Sequence, residues 1–452
     1  PFVGWFVRIH LKMAPPIAVG ICFTAGLILR LSLFRTSLPI WFAEKTEIST
    51  PVTSWERAME GVALSNSMIS PYSGDLFHET PLMLRFLGFA TRAFPNAVNY
   101  LFVFVDMLSA IVLLKIGNLF ARYLLQKQVN DIQCVSTKAE KIIIRKASVE
   151  DLHLYLAAAH LFNPYSVAVC LGKSTAVFNN LAIYFSFLFL LQGNELLCLF
   201  SIAMATYQSL YPLTLLAPVA LYFYTVRNPK RVNSLSADAV NSYVRTTVLG
   251  LLAITGLVAI SYILEGSTKF LYSTYGFVLS VPDLTPNLGV FWYFFTEMFE
   301  HFRTFFICVF QIHAFVYVVP LSIRLRDHPV FLMYILVILM SIFKSYPSYA
   351  DVALLTSLLP LWKHIFSYMR NKFVVTNMFV CCGVFGPILY HLWIYAGSAN
   401  ANFYFSIALA FSSAEVFLAT DLLFAYLRRD FDLKHGIEQK LENGKIAQVT
   451  LE

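Results

Sequence analysis

Charged residues are scarce in this chain of 452 residues. Asp, Glu, Lys and Arg make up 13% of it, whereas ordinary soluble domains carry about 25%. Hydrophobic residues make up 58%, and the mean hydropathy is +0.66. A soluble core could not bury this much apolar surface, so the lipid bilayer must act as the solvent. The composition therefore excludes an ordinary soluble domain.

Several chemical signatures are also missing. The seven cysteines form no disulfide framework and show no metal-type Cys/His spacing. The sequence lacks a G-x-S-x-G motif, a P-loop and an H-E-x-x-H motif, and it has no N-x-[ST] glycosylation acceptor. The net charge of +7 comes from short basic clusters between apolar runs, a pattern that sets membrane orientation. We expect no metal, no cofactor and no nucleic-acid partner.

Apolar runs of about 20 residues, each long enough to cross a bilayer, recur along the sequence. They predict an all-α polytopic membrane protein with about twelve transmembrane helices in one multi-spanning domain, residues 13–435. Residues 1–12 are expected to be an upstream extension or a tag remnant, and residues 436–452 a polar cytoplasmic tail. The candidate spans are 14–34, 98–124, 152–171, 174–192, 195–210, 212–226, 246–265, 289–321, 329–345, 350–368, 373–396 and 402–427.

The basic clusters agree with this layout. With an even number of spans, every cluster falls on the cytoplasmic side, as the positive-inside rule requires. The agreement depends on a helix break at Tyr211-Pro212, where two short apolar runs meet. Both termini are then expected in the cytoplasm, and residues 82–94 are expected to form an interfacial helix. The clusters lie at 127–146, 227–231, 324–326, 363–372 and 428–429.

A polar turn between two apolar runs, SVPDLTPN at 280–287, marks one candidate site. Proline interrupts helices, and unpaired backbone groups cannot face lipid tails, so this turn must lie at the membrane rim or in a protected cavity. Asn287 could cap a helix starting near Gly289, or the turn could bind a headgroup, since helix N-termini attract phosphate. Both interpretations stand. The residues of this possible lipid or headgroup groove are Ser280, Asp283, Asn287, Phe291, Trp292 and Phe295.

A second candidate site is the small-residue turn that contains Ser398, Asn400 and Asn402. Carboxamides both donate and accept hydrogen bonds, and small neighbours such as Gly397 let a bulky headgroup approach closely. The residues alone leave two interpretations open, a turn-forming role for the asparagines and a contact with a ligand.

Ionisable residues inside the predicted spans are a further signal. Glu297, Glu300 and His301 are spaced so that they share one face of a continuous helix. A charge at the centre of a membrane helix costs about 2.5–3.5 kcal/mol, so we expect these side chains to contact other helices or a wet cavity. The same expectation applies to Asp106, Lys115, Asp351, Glu415 and Asp421.

Four longer strings closely resemble the class U subunit of the glycosylphosphatidylinositol (GPI) transamidase. They are SPYSGDLFHETP at 70–81, ATYQSLYPLTL at 205–215, SVPDLTPNLGVFWYFF at 280–295 and HLWIYAGSANANF at 391–403, and the resemblance runs from about 13 to about 435. It implies a multi-pass protein of the endoplasmic reticulum membrane, within a complex whose catalytic thiol belongs to a cysteine-protease-like partner subunit. It further implies a non-catalytic role in binding and presenting the GPI lipid, with headgroup contacts from Asn400, Asn402 and Ser398.

The strongest rival is an enzyme, a GPI mannosyltransferase that uses dolichyl-phosphate mannose. Its family shares the many-span architecture and resembles this chain around 71–82. Such an enzyme needs an acidic residue early in its first lumenal loop, usually in an Asp-x-Asp-like pair. This chain has no acidic pair two apart there and reads Ser54-Trp55-Glu56-Arg57 instead. We therefore expect a glycosyltransferase-C-like helical scaffold without catalytic acids. A transporter ranks lower, because the sequence shows one broken helix pair and no matching partner.

Overall fold

The fold is helical throughout the part of the chain that a computed structural model describes, residues 15–228 and 236–437. These residues contain no β-strand, and the all-α prediction is confirmed. Helices suit a bilayer because each one pairs its own backbone N–H and C=O groups. The extension predicted at 1–12 and most of the tail predicted at 436–452 lie outside the described residues.

Twenty-one α-helices occur in these two described segments. Before residue 229 they are α1 Pro16–Leu33, α2 Leu38–Ala43, α3 Trp55–Asn66, α4 Pro81–Ala93, α5 Val98–Asn130, α6 Lys146–Val149, α7 Leu152–Leu161, α8 Pro164–Leu171, α9 Ala176–Gln192, α10 Glu195–Gln208 and α11 Leu216–Arg227. After it they are α12 Ala237–Glu265, α13 Lys269–Leu271, α14 Phe277–Ser280, α15 Phe291–Glu297, α16 Arg303–Val316, α17 Val318–Arg324, α18 Pro329–Phe343, α19 Tyr349–Leu358, α20 Lys372–Ile394 and α21 Ala401–His435.

The helix ends follow local chemistry. Prolines occupy the first helical positions of α1, α4, α8 and α18, where a missing N–H costs nothing. The side chain of Ser348 caps α19, and Asp351 completes a capping box. Asp351 also pairs with Lys344 at 2.7 Å. Gly193 and Gly266 end α9 and α12 with positive φ angles of 76° and 64°, a conformation that glycine adopts without strain.

Six helices of the described chain are long and apolar enough to cross a membrane. A seventh crossing results if α7 and α8, which bend by 47° at Pro164, count as one broken span. The six candidates are Pro16–Leu33, Pro95–Asn130, Ala237–Glu265, Glu300–Arg324, Lys372–Ile394 and Ala401–His435. The chain is thus a multi-pass membrane protein. The prediction of about twelve crossings exceeds the six or seven candidate spans of the described residues.

Three further apolar helices are too short for that test. They are α9, α10 and α18, with 17, 14 and 15 residues, or about 21–26 Å of helix against a hydrocarbon core of about 30 Å. Thirteen residues of α18 are buried, so this helix contacts protein on all sides. A helix enclosed by other helices need not match the thickness of the bilayer.

The helix break predicted at Tyr211-Pro212 is confirmed. Helix α10 ends at Gln208, a 3-10 turn covers Tyr211–Leu215, and α11 follows. Pro212 has no N–H to donate, which interrupts the α-helical hydrogen-bond ladder. The Tyr211 hydroxyl fixes this segment in place by contacting the Ser345 side chain at 2.9 Å and accepting from the Ser345 backbone N–H at 3.0 Å.

The single span predicted at 289–321 is wrong. Helix α15 stops at Glu297, Met298 adopts an extended conformation, and the chain resumes as a 3-10 turn and then α16. Glu297, Glu300 and His301 consequently do not share one face, and all three are exposed on the isolated chain. Glu300 pairs with Arg303 at 3.7 Å. A break at this point brings the charged residues to the surface and avoids burying them inside a continuous apolar helix.

The predicted inter-helix contact of Asp106 is confirmed. Asp106 on α5 accepts a hydrogen bond from Arg30 on α1, and its other oxygen lies 2.9 Å from Nε2 of His160 on α7. All three side chains are buried, so the cluster joins three helices through charge and hydrogen bonds. Lys115, for which the same contact was predicted, is instead exposed on the chain surface.

Two carboxylates on α21, Glu415 and Asp421, make the expected contacts. Glu415 on α21 accepts from the Ser341 hydroxyl on α18 at 2.5 Å. Asp421 accepts from the backbone N–H groups of Arg370 and Asn371, each at 2.9 Å. These bonds satisfy buried acceptors and fix α21 against both α18 and the start of α20.

Candidate functional site

The polar turn at 280–287 begins with a backbone outlier. Val281 has a φ angle of 48°, which is rare for a β-branched residue, and it ends the short helix α14. Its side chain is buried, and its carbonyl accepts a hydrogen bond from the Arg303 guanidinium at 2.8 Å. The surrounding contacts therefore hold the chain in a conformation that turns it away from the helix axis.

Asp283 ties this turn to the first long loop. Its carboxylate pairs with Arg57 of α3 at 3.0 Å and accepts from the Thr285 backbone N–H at 2.9 Å. Burial acts to raise the pKa of Asp283, but the hydrogen bonds from Thr285 and Arg57 outweigh it and lower the pKa below its ordinary value. The backbone carbonyl of Asp283 accepts from the Tyr346 hydroxyl at 3.0 Å. Asp283 thus acts as a charged anchor, while Ser280 remains exposed at the surface.

Asn287 does not cap a helix, contrary to the capping interpretation. Helix α15 starts at Phe291 with no side-chain cap. The Asn287 side chain instead accepts from the Gly289 N–H at 2.7 Å and donates to the Thr285 carbonyl at 3.2 Å. Its backbone carbonyl accepts from the Trp292 indole at 2.9 Å. The side chain is fully enclosed because the turn folds back on itself before the helix begins.

The aromatic residues of α15 pack inside the protein. Phe291, Trp292 and Phe295 are 2%, 3% and 4% exposed. The Phe291 ring meets Phe310 edge-on at 5.0 Å, a favourable aromatic geometry. These three side chains are therefore buried within the isolated chain, and their role in a lipid or headgroup groove stays a prediction.

The small-residue turn at 397–402 is more exposed. Ser398, Asn400 and Asn402 all lie at the surface. Gly397 has a φ angle of 63° with open space around it, so backbone geometry and not crowding favours glycine there. The Asn400 side chain caps α21 by accepting from the Asn402 N–H at 3.1 Å. The turn-forming interpretation thus holds for Asn400, and its NH₂ group remains available.

The structure brings the two candidate sites together. The Tyr293 hydroxyl on α15 donates to the side-chain oxygen of Asn402. The ring of Tyr293 stacks on Phe405 at 4.3 Å, and Trp292 stacks on Trp393 at 6.0 Å. Residues more than one hundred positions apart thereby form one continuous rim, which we call the headgroup rim and define as Tyr293 together with residues 397–402.

Sequence reasoning missed Glu47 beneath this rim. The side chain is fully buried, and its Oε1 accepts from the Tyr404 hydroxyl at 3.1 Å. Its backbone carbonyl accepts from the Tyr349 N–H at 2.7 Å. Burial raises the pKa of Glu47 above its ordinary value, against opposing hydrogen bonds and the nearby charge of Lys45. No sequence signal marks Glu47, because one glutamate in a polar loop is unremarkable.

The string at 70–81 also folds inward. The His78 ring stacks on Phe277 at 3.5 Å, and its Nδ1 lies 2.8 Å from the Ser273 carbonyl. Glu79 accepts a hydrogen bond from the Thr175 hydroxyl. Glu56, the nearest equivalent of a catalytic acid in the rival interpretation, is exposed in the first turn of α3. An acidic side chain at this position stabilises the helix, because it interacts favourably with the positive end of the helix dipole.

Comparison with known proteins covers nearly the whole chain. Residues 24–411 match the family described as GPI transamidase subunit PIG-U. The chain belongs to the PIG-U family. It is 40% identical over 442 residues to the GPI-anchor transamidase component PIGU of Cricetulus griseus, and 38% identical over 442 residues to that of Homo sapiens. Both alignments cover 97% of this chain and 100% of the relative.

A more distant relative gives the same assignment. The GPI transamidase component GAB1 of Saccharomyces cerevisiae is 30% identical over 404 residues, covering 89% of this chain and 92% of that protein. The PIG-U match includes both parts of the headgroup rim, since it extends past residue 402. The resemblance to the transamidase subunit is therefore confirmed, and the match favours it over the mannosyltransferase.

Proposed function

We propose that this protein is a non-catalytic component of a GPI transamidase complex that binds the GPI lipid and presents it for attachment. The headgroup contacts Ser398, Asn400 and Asn402, and a cysteine-protease-like partner subunit supplies the catalytic thiol. The observation that carries this proposal is the bond between Tyr293 and Asn402, which joins two separately recognised sequence motifs at one exposed polar rim.

The rim has the chemistry that a phosphorylated glycan requires. Amide groups can donate to phosphate and to sugar hydroxyls, and the N-terminus of α21 favours negative charge. The aromatic support beneath Tyr293 keeps these groups fixed, which lowers the entropy lost on binding. Because Phe291, Trp292 and Phe295 are enclosed, we assign the acyl chains to the exposed apolar side chains beside the rim, Ile394 and Phe403.

The same proposal includes the membrane arrangement. The helices make about twelve crossings on a glycosyltransferase-C-like scaffold in the endoplasmic reticulum membrane, with both termini in the cytoplasm. The breaks at Pro164 and Pro212 support a bundle in which short and bent helices complete crossings that no single long helix makes. The headgroup rim then lies on the lumenal side, together with the long loop at 35–81.

The double variant Asn400→Ala with Asn402→Ala tests the binding role. Cells that lack their own component and express this variant should display fewer GPI-anchored reporter proteins at the surface, as flow cytometry would measure. Loss of two amide contacts is expected to weaken lipid binding about tenfold. Co-purification of the partner subunits should be unchanged, because the residues lie at an exposed turn. Normal surface display in this variant would refute the proposal.

Two further variants separate ligand contact from helix capping. Asn194 caps α10 in the same way, accepting from the Leu197 N–H at 3.2 Å, so Asn194→Ala removes about 1 kcal/mol of capping without touching the rim. It should leave surface display unchanged. Asn400→Asp keeps the cap but adds negative charge beside the expected phosphate, and it should lower display. If surface display in Asn400→Asp is as normal as in Asn194→Ala, Asn400 acts only as a helix cap.

A further inference from the structure

Two cations are buried in the described part of the chain, Arg30 and Lys45, which are 0% and 6% exposed. The charge of Arg30 is paired with Asp106, and its Nη1 donates to the Gly26 and Leu161 carbonyls, while its Nη2 has no hydrogen-bond partner among the described residues. Lys45 makes no side-chain hydrogen bond and no ion pair with any described residue. Buried charges in proteins are almost always paired. Lys45 therefore has a largely buried stem and an accessible ammonium that meets no acceptor among the described residues.

Two aromatic rings hold this ammonium in place. Its Nζ lies 4.5 Å from the centroid of Trp41 and 5.7 Å from that of Tyr395. Such cation–π contacts attract the charge but leave the N–H donors of the ammonium unused. Trp41 and Tyr395 are themselves 44% and 59% exposed. The arrangement is thus a cation beside two aromatic rings that are themselves partly exposed.

This arrangement adjoins the headgroup rim. Tyr395 ends α20 directly before the turn at 397–402. The loop that carries Lys45 is fixed to the same region through Glu47, which bonds to Tyr404 of α21. Burial raises the pKa of Glu47, and the nearby charge of Lys45 opposes that shift.

We propose that Lys45 forms a phosphate-binding site with Trp41 and Tyr395, where its ammonium donates to a phosphate oxygen. The ligand class is the phosphate of an inositol-type lipid headgroup or a free phosphate ion. Tryptophan and tyrosine are common at headgroup depth, which suits a lipid-borne phosphate. This inference rests on the proposed function, because it assigns the anionic part of the ligand to a residue next to the headgroup rim.

The test uses the full chain purified together with its partner subunits and three probes. Phosphatidylinositol carries the phosphate, monogalactosyl diacylglycerol offers a sugar ring and acyl chains without phosphate, and inorganic phosphate is the free ion. Binding is measured by native mass spectrometry. Lys45→Met keeps the apolar stem and removes the charge, Lys45→Arg restores the charge, and Lys363→Met is the matched control, because Lys363 lies 4.0 Å from the ring centroid of Tyr155 elsewhere in the fold.

Lys45→Met should weaken phosphatidylinositol binding on the order of tenfold and leave galactolipid binding unchanged. Lys45→Arg should recover most of the loss, and Lys363→Met should match the unmodified protein. Displacement of phosphatidylinositol by millimolar inorganic phosphate would identify a site for the free ion, and resistance to displacement a site for the lipid headgroup; both support the proposal. Equal weakening of the two lipids, no change in Lys45→Met or no recovery in Lys45→Arg would overturn it.

The outcome is separable from that of the proposed function. If the Asn400 and Asn402 variant lowers surface display while Lys45→Met binds phosphatidylinositol normally, only the phosphate site is refuted. If that variant displays reporters normally while Lys45→Met loses phosphatidylinositol selectively, the phosphate site stands and the presentation role fails.

Discussion

Glu79 shows how burial sets the chemistry of a single side chain in this protein. The residue is 9% exposed and accepts a hydrogen bond from the Thr175 hydroxyl, while its backbone carbonyl accepts from the Tyr72 hydroxyl at 3.1 Å. Burial raises the pKa of its carboxyl to about 7, although the bond from Thr175 opposes the shift. A buried carboxyl without a cationic partner is costly when ionised.

The pH dependence of stability should report this group. The folded pKa of about 7 exceeds the ordinary value of 4.5, so the folded chain retains a proton that the unfolded chain releases between these values. The contribution to the free energy of unfolding is complete below pH 4.5 and is lost as pH rises through about 7. Its size is on the order of 3 kcal/mol. Glu79→Gln, which cannot ionise, should remove this loss.

Thermal unfolding of the purified chain in detergent measures the effect. The melting temperature of the unmodified protein should fall relative to that of Glu79→Gln as pH rises across this interval. Glu56→Gln is the matched control, because Glu56 is exposed and should give a curve parallel to that of the unmodified protein. If the melting temperature of Glu79→Gln also changes with pH in parallel with that of the unmodified protein, the raised pKa of Glu79 is wrong.

The asparagines show what a single residue type can and cannot predict. Asn287 and Asn400 are both suitable helix caps by composition, yet Asn400 caps α21 and Asn287 does not cap α15. The difference arises because the Asn287 side chain finds partners in its own turn, Thr285 and Gly289. Sequence identifies the chemistry that an asparagine offers, while local backbone geometry selects its partner.

At the scale of elements, the crossing of α5 and α7 depends on one glycine. A Cβ at Gly117 would lie 2.5 Å from Cα of His153 and 2.9 Å from its backbone nitrogen. Neither backbone atom can move aside without shifting the whole helix. Small residues let membrane helices approach closely and gain packing energy, so Gly117 fixes the separation of these two helices.

Gly117→Ala should therefore destabilise the fold by about 1–3 kcal/mol, as overpacking does in other tightly packed cores. Gly256→Ala is the matched control, because Gly256 lies in α12 with open space around it and alanine there should be neutral or stabilise the helix by about 0.5–1 kcal/mol. The fraction of each variant that stays monodisperse after heating measures the difference. Equal survival of the two variants would show that the crossing can adjust.

Helix breaks were predictable where proline causes them. Pro212 marks the boundary between α10 and α11, and the sequence identifies it. The break between α15 and α16 at Met298 contains no proline, so the apolar run from 289 to 321 reads as one helix. The charged residues beside this break lie at the surface of the chain, and a single sequence does not reveal where that surface lies.

At the scale of the whole molecule, long helices alone do not account for all the apolar segments. The short helix α18 lies at the centre of the core, while long helices such as α1 and α12 have only 11% and 17% of their apolar window buried within the chain. Their remaining apolar surfaces are exposed on the isolated chain. A buried short helix such as α18 need not cross the membrane alone, because two helices in series can complete one crossing.

The predicted topology gives a direct test. The sequence has no natural N-x-[ST] acceptor, so an introduced one provides a clean signal. An acceptor placed at the exposed residues 73–75 should be glycosylated in the endoplasmic reticulum, because the layout places that loop in the lumen. An acceptor at Lys141, which is also exposed, should remain unmodified. Glycosidase-sensitive gel shifts report both, and the reverse result would invert the proposed orientation.

The sequence by itself determined the membrane class, the helical fold, the break at Pro212 and the family, because composition, proline and long polar strings are local properties of the chain. It also identified the two motifs of the headgroup rim, though not that they touch. Only the tertiary structure joined Tyr293 to Asn402, enclosed Glu47 and left Lys45 without a hydrogen bond or ion pair to any described residue. These features depend on contacts between residues far apart in the chain, and no local pattern encodes which buried charge will lack a counter-ion.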